Sequence, residues 1–206
     1  MALDQNMSAV LPEQKDKKAA FFDRDGIINV DHGYVHTIEQ FEFVDGVLEL
    51  LQSVQSKGYD IVIVTNQSGI ARGMYSEDDF KRLSHWMCEQ LKVQGVLVSQ
   101  VYFCPHHPTA GHTALTQACA CRKPHPGMLL NAAEENQYNL SQSIMIGDKY
   151  SDMECAVNAE LRAGYWLITS NLASTILQEP FIQLAARSQK TELVQVTSLR
   201  ECIYLI

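Results

Sequence analysis

The 206-residue chain has no uninterrupted apolar run long enough to cross a bilayer, which takes about 20 such residues in a helix. Its opening stretch, Met1 to Lys18, is mostly polar and lacks an apolar signal core, so residues 1–18 read as a flexible N-terminal tail and the protein as cytoplasmic. A basic excess is lacking too: 24 acidic side chains outnumber 16 basic ones, for a formal charge of -8. Nucleic-acid binders normally leave a basic footprint, so this balance argues against nucleic acid as a partner. An anionic ligand must then be held by a local cluster, for which Arg24, Arg72, Arg122, Lys123 and Lys149 are at hand in or beside the motif loops. No apolar repeat or coiled-coil seam is conspicuous, so a monomer with no membrane partner is expected.

What the chain does have is 46% hydrophobic residues in a length suited to one domain, read here as residues 19–206. Apolar strands alternate with amphipathic helices. A strand at about Ala19 to Asp23 is followed by a helix from about Asp45, with Val47, Leu48, Leu50, Leu51 and Val54 on one face and Gly58 as its stop. Asp60 to Thr65 is nearly continuous and apolar, as in a sheet covered on both faces, and Ser76-Glu77-Asp78-Asp79 caps a second helix. Further strands are predicted at Gln100 to Phe103, Ser143 to Gly147 and Gly164 to Thr169. Helices are predicted from near Pro126, taken as a first helical position, and from Ser151. After about Ser170 a helix, a short strand and another helix complete the chain. This is the pattern of a doubly wound parallel α/β sheet, whose sites form at the carboxyl ends of strands, placing Asp23, Thr65 and Asp148 on one rim.

The segment Phe21-Phe22-Asp23-Arg24-Asp25-Gly26 runs an apolar strand into two carboxylates one residue apart. Alternate residues of an extended chain project to the same side, so both can converge on one phosphorus. A solvated acidic turn is the competing reading. An EF-hand is not, because its glycine belongs at the sixth loop position and its glutamate at the twelfth, whereas Gly26 is fourth from Asp23 and the twelfth residue is Tyr34. Attack on a phosphate ester needs a cation between anions and a proton for the leaving alkoxide, so a metal ligand and a fixed positive charge are expected downstream. Gly147-Asp148-Lys149 and Arg122-Lys123-Pro124 offer them, although Asp148 also stands where a helix cap would.

The order Asp-x-Asp-Gly, Thr-Asn-Gln-Ser-Gly, Arg-Lys-Pro and Gly-Asp-Lys-x-x-Asp resembles the haloacid dehalogenase superfamily of phosphatases. Asp31-His32-Gly33-Tyr34-Val35-His36, Thr65 to Gly73 and Cys121 to Met128 are similar to the heptose bisphosphate phosphatases within it, a histidinol-phosphatase-like family. The likeness runs from about Phe21 to about Gly164. It implies a Rossmann-like fold with a zinc-bound loop and no large cap domain. It also implies Mg²⁺-dependent removal of the C7 phosphate from D-glycero-D-manno-heptose 1,7-bisphosphate. The 1-phosphate would be left for ADP- or GDP-heptose and lipopolysaccharide core synthesis.

By the same resemblance Asp23 is the nucleophile that forms an aspartyl-phosphate, and Asp25 the general acid and base. Asp148, Asp23 and the backbone carbonyl of Asp25 would hold Mg²⁺, and Thr65 and Lys123 would stabilise the transferring phosphoryl group. Asp31, His32, Gly33, Tyr34, Thr65, Asn66, Gln67, Ser68, Lys123 and Lys149 would line the substrate pocket. Arg122, a guanidinium fork, suits the second phosphate of a bisphosphate. One departure is Ile27, where the family pattern usually has threonine; the side chain is expected to pack rather than react.

Cys104-Pro105-His106 and Cys119-Ala120-Cys121 flank a twelve-residue loop, so the stretch from about 104 to 121 offers three thiolates and an imidazole for a structural tetrahedral Zn²⁺. A disulfide is the alternative, disfavoured in a reducing cytoplasm. His107, His112 and His125 are spare ligands, while Cys88, Cys155 and Cys202 are expected to fill apolar space on helices. Two further readings stay open: a histidinol-phosphate phosphatase, which shares the scaffold and zinc loop, and a zinc-stabilised binding protein without turnover.

Overall fold

A computed structural model describes residues 17–111, 114–168 and 178–206. The strands are β1 (Lys18–Phe22), β2 (Tyr59–Asn66), β3 (Val98–Cys104), β4 (Ile144–Gly147), β5 (Ala163–Leu167) and β6 (Glu192–Val196). They form one sheet in the order β3-β2-β1-β4-β5-β6, and every adjacent pair is parallel. The helices are α1 (Val47–Ser56), α2 (Glu77–Val93), α3 (Gly127–Asn136), α4 (Tyr150–Asn158), α5 (Gln178–Arg187) and α6 (Leu199–Leu205).

Strand alternation explains the two layers of core. Ala20 and Phe22 of β1 point to a cluster with Leu50 and Leu51 of α1, Met87 and Leu91 of α2 and Leu199 of α6. Ala19 and Phe21 point the other way, toward Met128 and Leu129 of α3 and Cys155 and Ala156 of α4. Both phenylalanines are fully buried, so truncating either to alanine removes packing worth about 3–5 kcal/mol. Because β1 has β2 on one side and β4 on the other, the chain reverses its winding direction at β1, and the ends of β1, β2 and β4 open onto one crevice.

Most expected elements are present. The α2 start is a capping box in which Ser76 Oγ accepts from Asp79 N at 3.1 Å and Asp79 Oδ2 accepts from Ser76 N at 2.8 Å. Gly58, at φ +78°, follows the α1 cap. Some boundaries shift: Lys18, assigned to the tail, opens β1; Pro126 sits one residue before α3 rather than inside it; β5 ends at Leu167. Residues 1–16 and Thr169 lie outside the described residues. Among the described residues no separate cap domain is inserted between these elements, and no helix is long and apolar enough to cross a membrane.

Candidate active site

The site forms where three parallel strands end together. Asp23 follows β1 directly and its N–H donates to Ile146 O of β4 at 3.0 Å, so sheet pairing itself sets its position. Thr65 is the penultimate residue of β2 and Asp148 follows β4. One oxygen each from Asp23, Asp148 and Asp152 lies within 4.8 Å of the others. Two glycines make this approach feasible. A Cβ on Gly26, itself at φ +95°, would stand 2.3 Å from Asp148 Oδ2, and one on Gly147 would stand 2.4 Å from Asp152 Cβ.

Lys123 is buried against these carboxylates, its Nζ 2.9 Å from Asp23 Oδ1, 2.7 Å from Asp152 Oδ1 and donating to Val64 O at 2.9 Å. Burial works against its charge, but Asp152 and Asp23 outweigh that and hold the ammonium above its ordinary range. The aspartates are under-compensated. Burial raises the Asp23 carboxyl, with Lys123 opposing it, and burial aided by the nearby Asp23 pushes Asp148 up to about 8. Asp148 Oδ1 is buried with no hydrogen-bond partner, Lys149 Nζ being 3.8 Å away. A cluster of carboxylate oxygens short of positive charge fits a hard divalent cation such as Mg²⁺.

Asp25 faces elsewhere. Its carboxylate accepts from Arg24 Nη2 at 2.7 and 2.9 Å, from Arg24 Nε at 3.2 Å, from Asn29 Nδ2 at 3.1 Å and from Gln67 Nε2 at 3.0 Å. The Asp25 side chain therefore stays out of the cluster formed by Asp23, Asp148 and Asp152. Arg24, counted among the cations for an anionic ligand, is instead almost fully buried: besides Asp25 it donates to Val35 O at 2.7 Å and lies 5.6 Å from the Phe80 ring centroid.

The second cluster is a quartet of Cys and His side chains with the donor set of a metal site. Cys104, His106, Cys119 and Cys121 converge, with Sγ–Sγ separations of 3.5 Å (Cys104–Cys119) and 3.4 Å (Cys119–Cys121) and Sγ–Nδ1 separations from His106 of 3.6 Å (Cys104) and 3.4 Å (Cys121). Ligands about 2.3 Å from a tetrahedral centre stand roughly 3.8 Å apart, close to what is seen, whereas a disulfide needs about 2.05 Å. All six cysteines are free thiols. His107 and His125 are not in the quartet, and His112 lies outside the described residues. Arg122 Nη1 donates to His106 O at 3.2 Å, so the loop braces Arg122 directly.

The chain matches the family model described as polynucleotide kinase 3 phosphatase over residues 18–162. It is 50% identical over 143 residues to the D-glycero-beta-D-manno-heptose-1,7-bisphosphate 7-phosphatase of Photorhabdus laumondii, covering 69% of this chain and 76% of that protein. Against the protein of the same name in Escherichia coli K12 it is 48% identical over 147 residues, covering 71% and 77%. This chain belongs to the heptose-1,7-bisphosphate 7-phosphatase family. Like other members of this haloacid dehalogenase group, it is a phosphoric monoester hydrolase. A D,D-heptose 1,7-bisphosphate phosphatase from B. bronchiseptica, solved with magnesium and phosphate, is 27% identical with a TM-score of 0.73, over 91% of this chain and 97% of that one. A putative phosphatase from Mesorhizobium loti is 36% identical with a TM-score of 0.70, over 73% and 72%.

Within this heptose bisphosphate phosphatase family member, the expected pocket residues fall into two groups. Asp31, His32, Gly33, Tyr34 and Lys149 are exposed, with Lys149 Nζ 3.3 Å from Asp31 Oδ2, and Ser68 is half-buried in the turn after β2. Asn66 and Gln67 are used internally by their side chains. Asn66 clamps the Lys123 backbone through two bonds of 3.1 Å, and buried Gln67 serves Thr65, Asp25 and Tyr75. Sequence reasoning missed Asp152, which pairs with Lys123 and accepts from Lys149 N at 2.9 Å; its signal was the last position of Gly-Asp-Lys-x-x-Asp. Asn29 and Tyr75 carried no signal of their own. Ile27 is fully buried in the core, as expected.

Proposed function

We propose that this phosphatase removes the C7 phosphate of D-glycero-D-manno-heptose 1,7-bisphosphate, releasing heptose 1-phosphate. The observation that carries the reading is the convergence of Asp23, Asp148 and Asp152 around buried Lys123 at the ends of β1 and β4. The substrate is supported by relatives about half identical to this chain that bear that enzyme's name, and their "beta" points to the β anomer. The product's free 1-phosphate suits it to nucleotide activation toward ADP- or GDP-heptose in lipopolysaccharide synthesis.

In the proposed reaction an Asp23 carboxylate oxygen attacks the C7 phosphorus while the bond from phosphorus to the sugar oxygen breaks. Asp25, entering the step as the protonated acid, passes its proton to that leaving oxygen and becomes the carboxylate. A water then attacks the phosphorus of the aspartyl-phosphate while Asp25 takes its proton; the bond from phosphorus to the Asp23 oxygen breaks, inorganic phosphate is released and the Asp23 carboxylate is restored. Lys123 holds Asp23 in place and, with the Thr65 hydroxyl, offsets charge on the phosphoryl oxygens. Asp23, Asp148 and the Asp25 carbonyl, joined by Asp152, would hold Mg²⁺, whose contribution there is to neutralise charge between the two anions. Cys104, His106, Cys119 and Cys121 would hold a structural Zn²⁺ that fixes the loop leading into Arg122 and Lys123. Arg122, Lys149 and the Asp31–Tyr34 segment are assigned to the rest of the sugar bisphosphate.

The test is phosphate release with Mg²⁺ from the α and β heptose 1,7-bisphosphates and from histidinol phosphate, with Asp23→Asn alongside. Turnover of the β bisphosphate that falls by about three orders of magnitude or more in Asp23→Asn is expected. A preference for histidinol phosphate would move the assignment to that activity.

A further inference from the structure

Gln67 is buried behind the crevice, and its amide has one acceptor and two donors to place. The acceptor, Oε1, takes the Tyr75 hydroxyl hydrogen at 2.6 Å. The two donors on Nε2 reach Thr65 Oγ1 at 2.7 Å and Asp25 Oδ2 at 3.0 Å. Turning the amide over would set Oε1 against an Asp25 carboxylate oxygen, so Asp25 selects the end that faces it, and the Tyr75 hydroxyl, by donating to Oε1, anchors the far end of the amide in that orientation. With Gln67 donating to Thr65 Oγ1, the threonine hydrogen is left to point into the crevice.

The phenol is itself held in place. Tyr75 is buried immediately before the Ser76 cap of α2 and packs with Ile70 and Phe80. The His36 ring stacks on it at 5.0 Å with a 6° interplanar angle. Gly69 makes the room: a Cβ there would stand 2.2 Å from Tyr75 Cε1. Burial pushes the phenol up to about 12, so it keeps the hydrogen that it donates.

We infer that Tyr75 is a positioning residue for turnover, fixing the Gln67 amide so that it orients Asp25 and leaves the Thr65 hydroxyl free to donate. It touches neither substrate nor metal and acts only through Gln67. The inference rests on the proposed roles of Asp25 and Thr65.

Steady-state kinetics on the full chain with Mg²⁺ and heptose bisphosphate test it, using Tyr75→Phe, Gln67→Ala and the double variant. Tyr75→Phe keeps the ring and should fold; kcat is expected to fall about five- to tenfold with KM within about twofold, since loosened orientation penalises the transition state more than binding. The double variant should be no slower than Gln67→Ala, because the two residues act as one unit. Gly69→Ala, which crowds the ring while keeping the hydroxyl, should lower kcat in the same way. A Tyr75→Phe kcat within about twofold of the parent, or losses that multiply in the double variant, overturns the positioning role while Asp23-dependent activity upholds the phosphatase reading. A parent protein with no Asp23-dependent activity overturns both.

Discussion

Lys123 and Asp152 form an ion pair of 2.7 Å in which both side chains are almost fully buried. Asp152 Oδ2 also accepts from Lys149 N, so one carboxylate both neutralises the proposed phosphoryl-binding cation and starts α4. Asp152→Asn retains an oxygen for the cap but removes the charge facing Lys123. Breaking one side of a buried pair costs about 3–5 kcal/mol when no other partner remains, and Asp23 remains here, so about 2 kcal/mol is expected in denaturant melts. Phosphate release should fall about a hundredfold. Activity within about threefold of the parent would deny Asp152 any part in charge balance.

Gly26→Ala meets two obstacles at once, the φ of +95° and an added carbon 2.3 Å from Asp148 Oδ2. The backbone strain costs about 1–3 kcal/mol, and relief by moving Asp148 disperses the acidic cluster. Activity should fall at least about a hundredfold. Calorimetric titration should show Mg²⁺ binding weakened in step; unaltered Mg²⁺ affinity in a folded variant would contradict the role given to this contact.

Burial with Asp23 close by pushes the Asp148 carboxyl up to about 8, so in metal-free protein it is mostly protonated at neutral pH. A cation has to displace that proton, so Mg²⁺ affinity should climb as pH rises toward 8 and level off beyond, by roughly tenfold per unit for one proton. Metal-free stability should run the other way. The folded value lies above the ordinary carboxylate value of 3.8, so the folded state holds the extra proton and stability falls as pH rises from about 4 to about 8. Titrations at about pH 6 and pH 8 decide it, since an equal affinity at both excludes proton displacement.

If the quartet of Cys104, His106, Cys119 and Cys121 carries zinc, elemental analysis should give about one zinc per chain. A strong chelator should then expose three further thiols to a colorimetric reagent, and Tm should drop by about 10 °C, corresponding to a loss of about 3 kcal/mol. Buried Cys155 and Cys202, whose thiols burial pushes up to about 12, should stay unreactive in native protein. Chelation that alters neither thiol count nor Tm would leave the quartet without a structural metal.

The sheet and its motif loops are legible in the amino-acid sequence, because apolar runs such as Ile61 to Val64 and the cap at Ser76 are local signals with local causes. The quartet is legible there too, since metal ligands close to one another in sequence leave a spacing. The roles of Arg24, Asn66 and Gln67 were decided by tertiary structure. A charged or amide side chain next to a motif reads the same whether it faces the crevice or the interior, and only packing shows that Arg24 turns inward to Asp25 and Gln67 to Tyr75. Asp152 and Tyr75 reach their partners, Lys123 and Gln67, only when β4 lies beside β1 and the turn after β2 folds back. Those contacts depend on strand order and on room left by Gly147 and Gly69, which no local pattern encodes.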